Sequence, residues 1–287
     1  MTDLSTDSSE MHRPNGAPVT MEVENGVAVL TIDLVNDPVN IITRAVRESM
    51  MELFDRIDRD ETIKGAVLIS GKPDTFLVGA DIEEFTQLKD AEDATRLSRD
   101  GQALVENLEK SRVPFVAAVH GACMGGGLEA ALACRWRVAS DDPRTILSLP
   151  EVQLGLIPGA GGTQRLPRLI GLRAALDMIL TSKNVRAKKA LQIGLVDEMV
   201  HPAILRRIAI ERALALGEGR LKRASRSGGA TGLLLDSNPL GRGVVFRKAR
   251  EETEKKTHGN FPAPLAAIDA VEAGLTHGMP AGLREEA

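Results

Sequence analysis

Two short apolar runs each lead through a glycine-containing loop into a segment with helical features. GAVLIS spans residues 65–70, and FVAAV spans residues 115–119. Runs this short, bounded by turn-forming or polar residues, are typical of buried strands. The first run is followed by LVGADIEEF, where Asp81 can cap a short helix, and the second by GACMGGG and a helical LEAALAC. The pattern predicts repeated strand–helix units and hence an α/β fold.

The elements at the two ends of the chain complete this order. Residues 19–24 and 27–32 flank Asn25-Gly26, a turn that is typical of a tight β-hairpin. Thr43 can cap a helix in which apolar residues recur at helical spacing. Helical patterns dominate the last third, with one short strand predicted at 194–200 and a helix from Pro202 to about Leu216. We therefore predict an α/β architecture with an all-helical end.

We divide the chain into three regions. Residues 1–18 are polar, contain no apolar segment of a signal peptide, and carry acids that transit peptides avoid. We expect a disordered tail there and a cytoplasmic protein, or a mitochondrial matrix protein if the source is eukaryotic. Residues 19–200 form the predicted core and 201–287 the helical C-terminal region, within which 217–243 is rich in Gly, Ser and Arg and is predicted to be a long exposed loop. No apolar run approaches the ~18–20 residues that span a membrane.

Composition argues against several classes of partner. The 36 Lys and Arg nearly balance the 40 Asp and Glu, which argues against nucleic acid, as does the small number of aromatic residues for stacking on bases. Two cysteines and five scattered histidines suggest neither a disulfide framework nor a metal site. One stretch, 204–256, holds 13 Lys and Arg against 6 Asp and Glu. It is either a solvated surface or a patch that meets an anionic ligand or a partner subunit.

Two glycine-rich stretches, each with a nearby glutamate, are the candidate active site. GACMGGG at 121–127 is followed by Glu129, and IPGAGGTQR at 157–165 is preceded by Glu151. Both glutamates have apolar neighbours, and a carboxyl in an apolar pocket can serve as an acid or a base near neutral pH. Taken singly, each loop also fits a tight turn, Glu129 a helix-dipole contact, and Glu151 an exposed carboxylate.

Glycine loops can also present backbone N–H groups to a developing oxyanion. The Val78-Gly79 loop and the Gly125-Gly126-Gly127 helix start are the two candidates, and the second adds a helix dipole. Neither GGGLEA nor GAGGTQ completes a dinucleotide fingerprint, and no lysine follows a glycine loop as in a P-loop. We therefore expect chemistry on a carbonyl compound and assign neither NAD nor another cofactor.

Four segments resemble the crotonase (enoyl-CoA hydratase/isomerase) superfamily, and the likeness covers roughly residues 19–280. They are FLVGADIEEF (76–85), VHGACMGGGLEAALACRWRVAS (119–140), LPEVQLGLIPGAGGTQRLPRLIG (149–171) and RAKKALQIGLVDEMV (186–200). A fifth segment, at 247–275, resembles the hydratase portion of the multifunctional fatty-acid oxidation α-subunit more than it does single-function hydratases.

The resemblance implies a spiral of ββα units with a helical C-terminal region, and coenzyme A thioesters as substrates. Glu129 and Glu151 match the family's catalytic pair, whose joint presence favours hydration of 2-trans-enoyl-CoA in fatty-acid β-oxidation. The other family positions are an oxyanion hole at Val78 and Gly126 and a thioester site at Gly79, Ala80, Asp81, Gly125 and Gly159.

The resemblance leaves alternatives open. Δ3-Δ2 enoyl-CoA isomerisation could use the same oxyanion hole, and a catalytically weak assembly module would account for the basic 204–256 stretch. Family members form trimers and hexamers, so we expect a homo-oligomer or a complex with thiolase or dehydrogenase chains. The α-subunit normally continues into an NAD-dependent dehydrogenase. This sequence contains no such fingerprint, so we expect either a separate dehydrogenase chain or a truncated form.

Overall fold

The computed structural model describes residues 16–222 and 238–287, and within them the chain forms two sheets surrounded by helices. The larger sheet has six strands in the order β1-β2-β3-β5-β7-β10. The smaller sheet has four strands in the order β4-β6-β8-β9. The strands are β1 Val19–Glu24, β2 Val27–Ile32, β3 Gly65–Ser70, β4 Thr75–Val78, β5 Phe115–Val119, β6 Ala122–Met124, β7 Trp136–Ser140, β8 Ile146–Ser148, β9 Val185–Arg186 and β10 Glu198–Val200.

The six-stranded sheet carries most of the core. β1 and β2 form the predicted antiparallel hairpin, and every later pair in this sheet is parallel. Asn25 and Gly26 at the hairpin turn both have positive φ, at 52° and 77°, as a type I′ turn requires. All five residues of β5 and all five of β7 are buried, which explains why β5 reads as a continuous apolar run.

Helices cover both faces of the larger sheet. Their bounds are α1 Arg44–Arg59, α2 Ile82–Thr86, α3 Ala91–Lys110, α4 Gly126–Ala133, α5 Gly162–Ile170, α6 Leu172–Thr181, α7 Ala187–Ile193, α8 Leu205–Gly217, α9 Pro239–Thr257, α10 Ala263–His277 and α11 Met279–Glu286, with 3-10 turns at Glu151–Leu154 and Pro202–Ile204. Helix α8 packs on one face, where its Leu205 and Ile210 join strand residues in a separate apolar cluster. None of the helices in the described residues combines the length and hydropathy needed to cross a bilayer.

Most of the local predictions are confirmed. Thr43 caps α1 by accepting a bond from the Val46 N–H, and Asp81 caps α2 by accepting one from the Glu83 N–H. Strands β3 and β5 have the predicted bounds. The α/β class with helices after the last strand is also as predicted within the described residues.

Four predictions need correction or lie wholly or partly outside the described residues. Residues 239–243, predicted as loop, begin α9, because the Asn238 side chain caps Leu240 and Pro239 stands in the first turn. The strand predicted at 194–200 covers only 198–200, since Gly194 has φ +81° and ends α7. The helix predicted from Pro202 opens with a separate 3-10 turn. The predicted tail and most of the 217–243 loop fall in 1–15 and 223–237, which the structure does not describe.

Candidate active site

Three parallel strands of the smaller sheet end side by side, and the candidate site residues follow them directly. Val78 of β4 pairs with Met124 of β6, which pairs with Ser148 of β8. Each is the last residue of its strand. Ligands of α/β sheets bind beyond the carboxyl ends of the strands. The register therefore brings together the residues next in sequence, namely Gly79, Ala80, Gly125, Gly126 and Glu151.

Gly125 turns the chain from β6 into α4. Its φ of +54° and ψ of −132° are accessible to glycine and strained for other residues. Its own N–H donates to the Ser148 carbonyl at 3.0 Å, which joins the ends of β6 and β8. The next N–H, on Gly126, opens the first turn of α4, where backbone donors lack intrahelical acceptors and the helix dipole is positive.

Glu129 lies one turn into α4 and is 3% exposed. Its Oε1 accepts two backbone hydrogen bonds, from Ala160 N at 2.8 Å and from Gly162 N at 2.7 Å. Burial raises the pKa of this carboxyl above its usual value, while the Gly162 and Ala160 N–H groups and the Arg165 guanidinium act in the opposite direction. Both bonds fall on Oε1, so Oε2 is left for a ligand or a water.

Glu151 is held differently. It is the first residue of the 3-10 turn after Pro150, and its Oε1 lies 3.2 Å from where a Cβ would stand on Gly125. Its Oε2 is buried and makes no hydrogen bond in the structure. Burial, and then the nearby charge of Glu129, raise the pKa of Glu151 well above the usual value. The unpaired oxygen and the raised pKa favour a protonated acid at this position.

The Val78 N–H, expected from the sequence as an oxyanion donor, already has an acceptor in the protein. It donates to the carbonyl of Asn40 at 2.9 Å. Asn40 is itself fixed, since its buried amide donates to Ile32 O and to Ser70 Oγ, both at 2.8 Å. This contact ties the end of β4 to the preceding segment.

Ala80 presents the available N–H of this loop. Its nitrogen lies 3.8 Å from where a Cβ would stand on Gly126. In the described part of the chain, neither the Ala80 N–H nor the Gly126 N–H donates to a protein acceptor. Ile42 N donates to Gly79 O at 2.8 Å and holds the loop in place. The N–H groups of Ala80 and Gly126 therefore lie close together on neighbouring loops. Gly126 is the residue that the sequence suggested, and Ala80 lies two residues after the suggested Val78.

The remaining predicted residues lie around this centre. Gly79 has φ +97° and makes the turn that exposes Ala80. Asp81 is occupied as the cap of α2, with its Oδ1 2.9 Å from Glu83 N. Gly159 stands at the start of the loop that holds Glu129, and its carbonyl accepts from Ser98 Oγ at 2.6 Å. Residues 16–222 and 238–287 contain no group of three or more His, Cys, Asp or Glu placed to hold a metal ion.

Comparison with known proteins identifies the family. Residues 22–224 match the family described as Enoyl-CoA hydratase/isomerase. The fatty acid oxidation complex subunit alpha of Shewanella sp. (strain MR-4) is 47% identical over 264 residues, which are 92% of this chain and 37% of that protein. The Shewanella amazonensis subunit of the same name is 48% identical, with the same coverage. This chain thus spans little more than a third of the length of these relatives.

Solved structures agree with this assignment. DspI of Pseudomonas aeruginosa has a TM-score of 0.63 and 32% identity, covering 88% of this chain and 94% of that one. An enoyl-CoA hydratase from Bacillus anthracis has a TM-score of 0.64 and 27% identity, covering 89% and 96%. These matches confirm the predicted crotonase-like α/β architecture and the resemblance to the oxidation-complex α-subunit. The chain belongs to the enoyl-CoA hydratase/isomerase family.

Proposed function

We propose that this chain is an enoyl-CoA hydratase that adds water to 2-trans-enoyl-CoA to give 3-hydroxyacyl-CoA in fatty-acid β-oxidation. The observation that carries the proposal is the unequal environment of its two buried glutamates. Glu129 has two backbone N–H donors on Oε1, whereas Oε2 of Glu151 has no partner. Hydration needs one group that takes a proton and one that gives a proton, and such an asymmetry separates these roles.

The thioester carbonyl oxygen would bind between the N–H groups of Ala80 and Gly126. Negative charge that develops on this oxygen as the enolate forms is stabilised by donors that are already in place. The helix dipole at the start of α4 acts in the same direction. Withdrawal of electrons into the carbonyl makes C3 of the enoyl group electrophilic.

Water would then add with Glu129 as base and Glu151 as acid. The water oxygen bonds to C3, its proton passes to Oε2 of Glu129, and the enolate accepts the proton of Glu151 at C2. The proton on Glu129 later returns to Glu151, directly or through a water, so the two carboxyls titrate as a pair. The reaction adds only water and transfers no electrons to an acceptor, so this chemistry needs no redox cofactor.

A spectroscopic assay tests the activity. Hydration removes the conjugated enoyl-thioester absorbance of a short 2-trans-enoyl-CoA, and we expect the purified chain to do this catalytically. Glu129→Gln and Glu151→Gln should each lower kcat by ~10²–10⁴-fold. Glu52→Gln on the exposed side of α1 is the matched control and should leave the rate unchanged. Inactivity of the wild-type chain towards enoyl-CoA would contradict the proposal.

Isomerisation is the second candidate, and one observation favours it. In ionised form, Glu151 could take a proton from C2 of a 3-enoyl thioester through its unpaired Oε2 and return it at C4 of the dienolate, without help from water. A 3-enoyl-CoA substrate separates the two activities, because isomerisation would increase the conjugated absorbance. We expect its rate to be well below that of hydration, and the reverse order would make the isomerase reading the better one.

We also propose that the chain works in an assembly, either as a homotrimer or homohexamer or with thiolase and dehydrogenase chains. The names of the Shewanella relatives, which contain the word complex, support this. Helix α9 adds support, because Leu240 and Val244 on it are 80% and 52% exposed. Light scattering of the purified chain, with and without added thiolase, measures the mass. A fully active monomer that binds no thiolase would contradict the proposal.

A further inference from the structure

Four consecutive backbone N–H groups point alternately to two different carboxylates. Ala160 N and Gly162 N donate to Glu129 Oε1, as described above. Gly161 N donates to Oε1 of Glu286 at 2.5 Å, and Thr163 N donates to its Oε2 at 3.3 Å. The loop 160–163 therefore donates hydrogen bonds both to Glu129 of α4 and to Glu286 of α11. Glu286 lies 125 residues after Gly161 in the sequence.

Glu286 is built into the structure and does not lie on the surface. It is 6% exposed, and the Thr163 hydroxyl also donates to its Oε2. The Gln102 amide of α3 donates to Glu286 Oε1 at 3.2 Å and to the Leu283 carbonyl at 2.9 Å. Its carboxyl thus fastens the end of α11 to both α3 and the start of α5.

Helices α10 and α11 pack closely against α5 through the Gln164 side chain. The Gln164 side chain fills the space beside two glycines, and its Oε1 lies 1.6 Å from where a Cβ would stand on Gly274 and 2.2 Å from the same place on Gly282. The Gln164 amide donates to Ala270 O at 2.8 Å. Because these contacts fix α11, they also fix where Glu286 meets the loop.

The position of this loop determines the position of Glu129. A Cβ on Gly162 would stand 2.8 Å from Glu129 Oε1, so loop and carboxylate are already in contact. Shifts of about 1 Å in a catalytic group can cost ~10²-fold in rate. Any group that holds the loop therefore acts on the catalytic step through Glu129.

We propose that Glu286 is a positioning residue for hydration, which fixes the loop 160–163 and thereby orients Glu129. The proposal rests on the proposed hydratase function and goes beyond it, because it makes the docking of the C-terminal helix α11 a condition for full activity. Glu286 does not touch the reacting atoms in this account and acts through the Ala160 and Gly162 N–H groups.

Glu286 also shares the electrostatic field of the site. Burial, followed by the charge of Glu129, raises the pKa of Glu286 to about 8. The hydrogen bonds from the Thr163 hydroxyl, the Gly161 N–H and the Gln102 amide act in the opposite direction and lower this pKa. Glu286 in turn contributes to the raised pKa of Glu151. The cation facing this cluster is Arg165, which acts on Glu129 and is paired with Glu109 at 2.7 Å. Removal of the Glu286 carboxyl should therefore lower the apparent pKa values of the Glu129/Glu151 pair.

Glu286→Gln tests the proposal, with Glu285→Gln as the matched control. Glu285 is the exposed neighbour on the same helix, so its variant makes the same chemical substitution away from the loop. We expect Glu286→Gln to lower kcat about tenfold or more, with KM changed less than about twofold, by analogy with other groups that orient a catalytic ligand. The pH–rate profile should shift to lower pH, and Glu285→Gln should match wild type in both respects.

Thr163→Val is a second variant in case Glu286→Gln does not fold. It removes the hydroxyl that donates to Glu286 and retains the Thr163 N–H, so a smaller fall in kcat in the same direction is expected. Hydrogen exchange of the Ala160 and Gly162 amides should be faster in both variants than in wild type. Wild-type kinetics and profile in Glu286→Gln, with unchanged exchange at these amides, would overturn the proposal.

Failure of the positioning role of Glu286 can be distinguished from failure of the hydratase proposal. If the wild-type chain does not hydrate enoyl-CoA, the hydratase proposal fails and the kinetic comparison cannot be made. Amide exchange and carboxyl NMR titration of Glu129 then still decide whether Glu286 orients it. A Glu129 pKa that is unchanged by Glu286→Gln, together with unchanged exchange, would overturn the positioning role even then.

Discussion

Glu129 Oε1 accepts a hydrogen bond from Gly162 N at 2.7 Å, and the same glycine leaves no room for a side chain beside that oxygen. A Cβ at this position would also stand 3.0 Å from Cγ of Glu129 and 3.0 Å from Cβ of Pro158. The loop therefore both binds Glu129, the proposed catalytic base, and limits where its carboxyl can lie.

Gly162→Ala should push Glu129 from its place. We expect kcat to fall by ~10²-fold because the base is misplaced. We expect the free energy of unfolding to fall by ~1–3 kcal/mol because the site is overpacked. Gly243→Ala, a helical site with no heavy atom within 4 Å of the added Cβ, is the control and should leave kcat unchanged. Steady-state kinetics with urea unfolding measures both effects, and wild-type kcat in Gly162→Ala would be incompatible with this geometry.

An amide-to-ester replacement distinguishes the two candidate oxyanion donors. Loss of the Ala80 N–H should lower kcat by ~10²–10³-fold, since it removes one donor to the developing charge. The same replacement at Val78 removes only the bond to Asn40, so we expect lower stability and much less effect on kcat. Equal losses of kcat in the two variants would restore Val78 as a donor.

The rate should have a bell-shaped dependence on pH. Activity requires Glu129 ionised and Glu151 protonated, so it falls as pH drops through the lower apparent pKa of the pair and as pH rises through the higher one. Burial and the charge of Glu129 raise the pKa of Glu151, so the alkaline limb should lie well above the usual range of a glutamate. A profile whose alkaline limb lies near pH 4–5 would contradict the assignment of Glu151 as the acid.

Stability should decrease as pH rises towards 8. The pKa of Glu286 rises from a usual 4.5 to about 8 on folding, so between these values the folded chain binds more protons than the unfolded chain. The free energy of unfolding therefore falls with increasing pH across this window. Glu286→Gln should flatten the dependence, whereas Glu285→Gln should not. Urea unfolding between pH 5 and 9 measures the slopes, which should differ between the two variants.

The sequence is informative wherever a contact is local. Capping by Thr43 and Asp81, the Asn25-Gly26 turn and strand β5 all depend on neighbouring residues, and all were predicted correctly. The start of α9 is also local, since the Asn238 side chain caps it, but the Gly-, Ser- and Arg-rich composition of 217–243 favours a loop there.

Long-range contacts explain what the sequence did not reveal. The choice between Val78 and Ala80 depends on Asn40, which lies 38 residues before Val78 and takes its N–H. The bond between Glu286 and Gly161 joins residues 125 apart, and no spacing rule links a helix end to a glycine loop at that distance. Family resemblance suggests Glu129 and Glu151 as the catalytic pair, but the hydrogen bonds that hold Glu129 come from Ala160 and Gly162, more than 30 residues away.

The most direct test of the central claim is the hydration rate of Glu129→Gln compared with wild type on a short 2-trans-enoyl-CoA. We predict that wild type removes the conjugated absorbance rapidly, and that Glu129→Gln, correctly folded by circular dichroism, is slower by ~10²–10⁴-fold. A Glu129→Gln variant that hydrates the substrate at the wild-type rate would contradict the account.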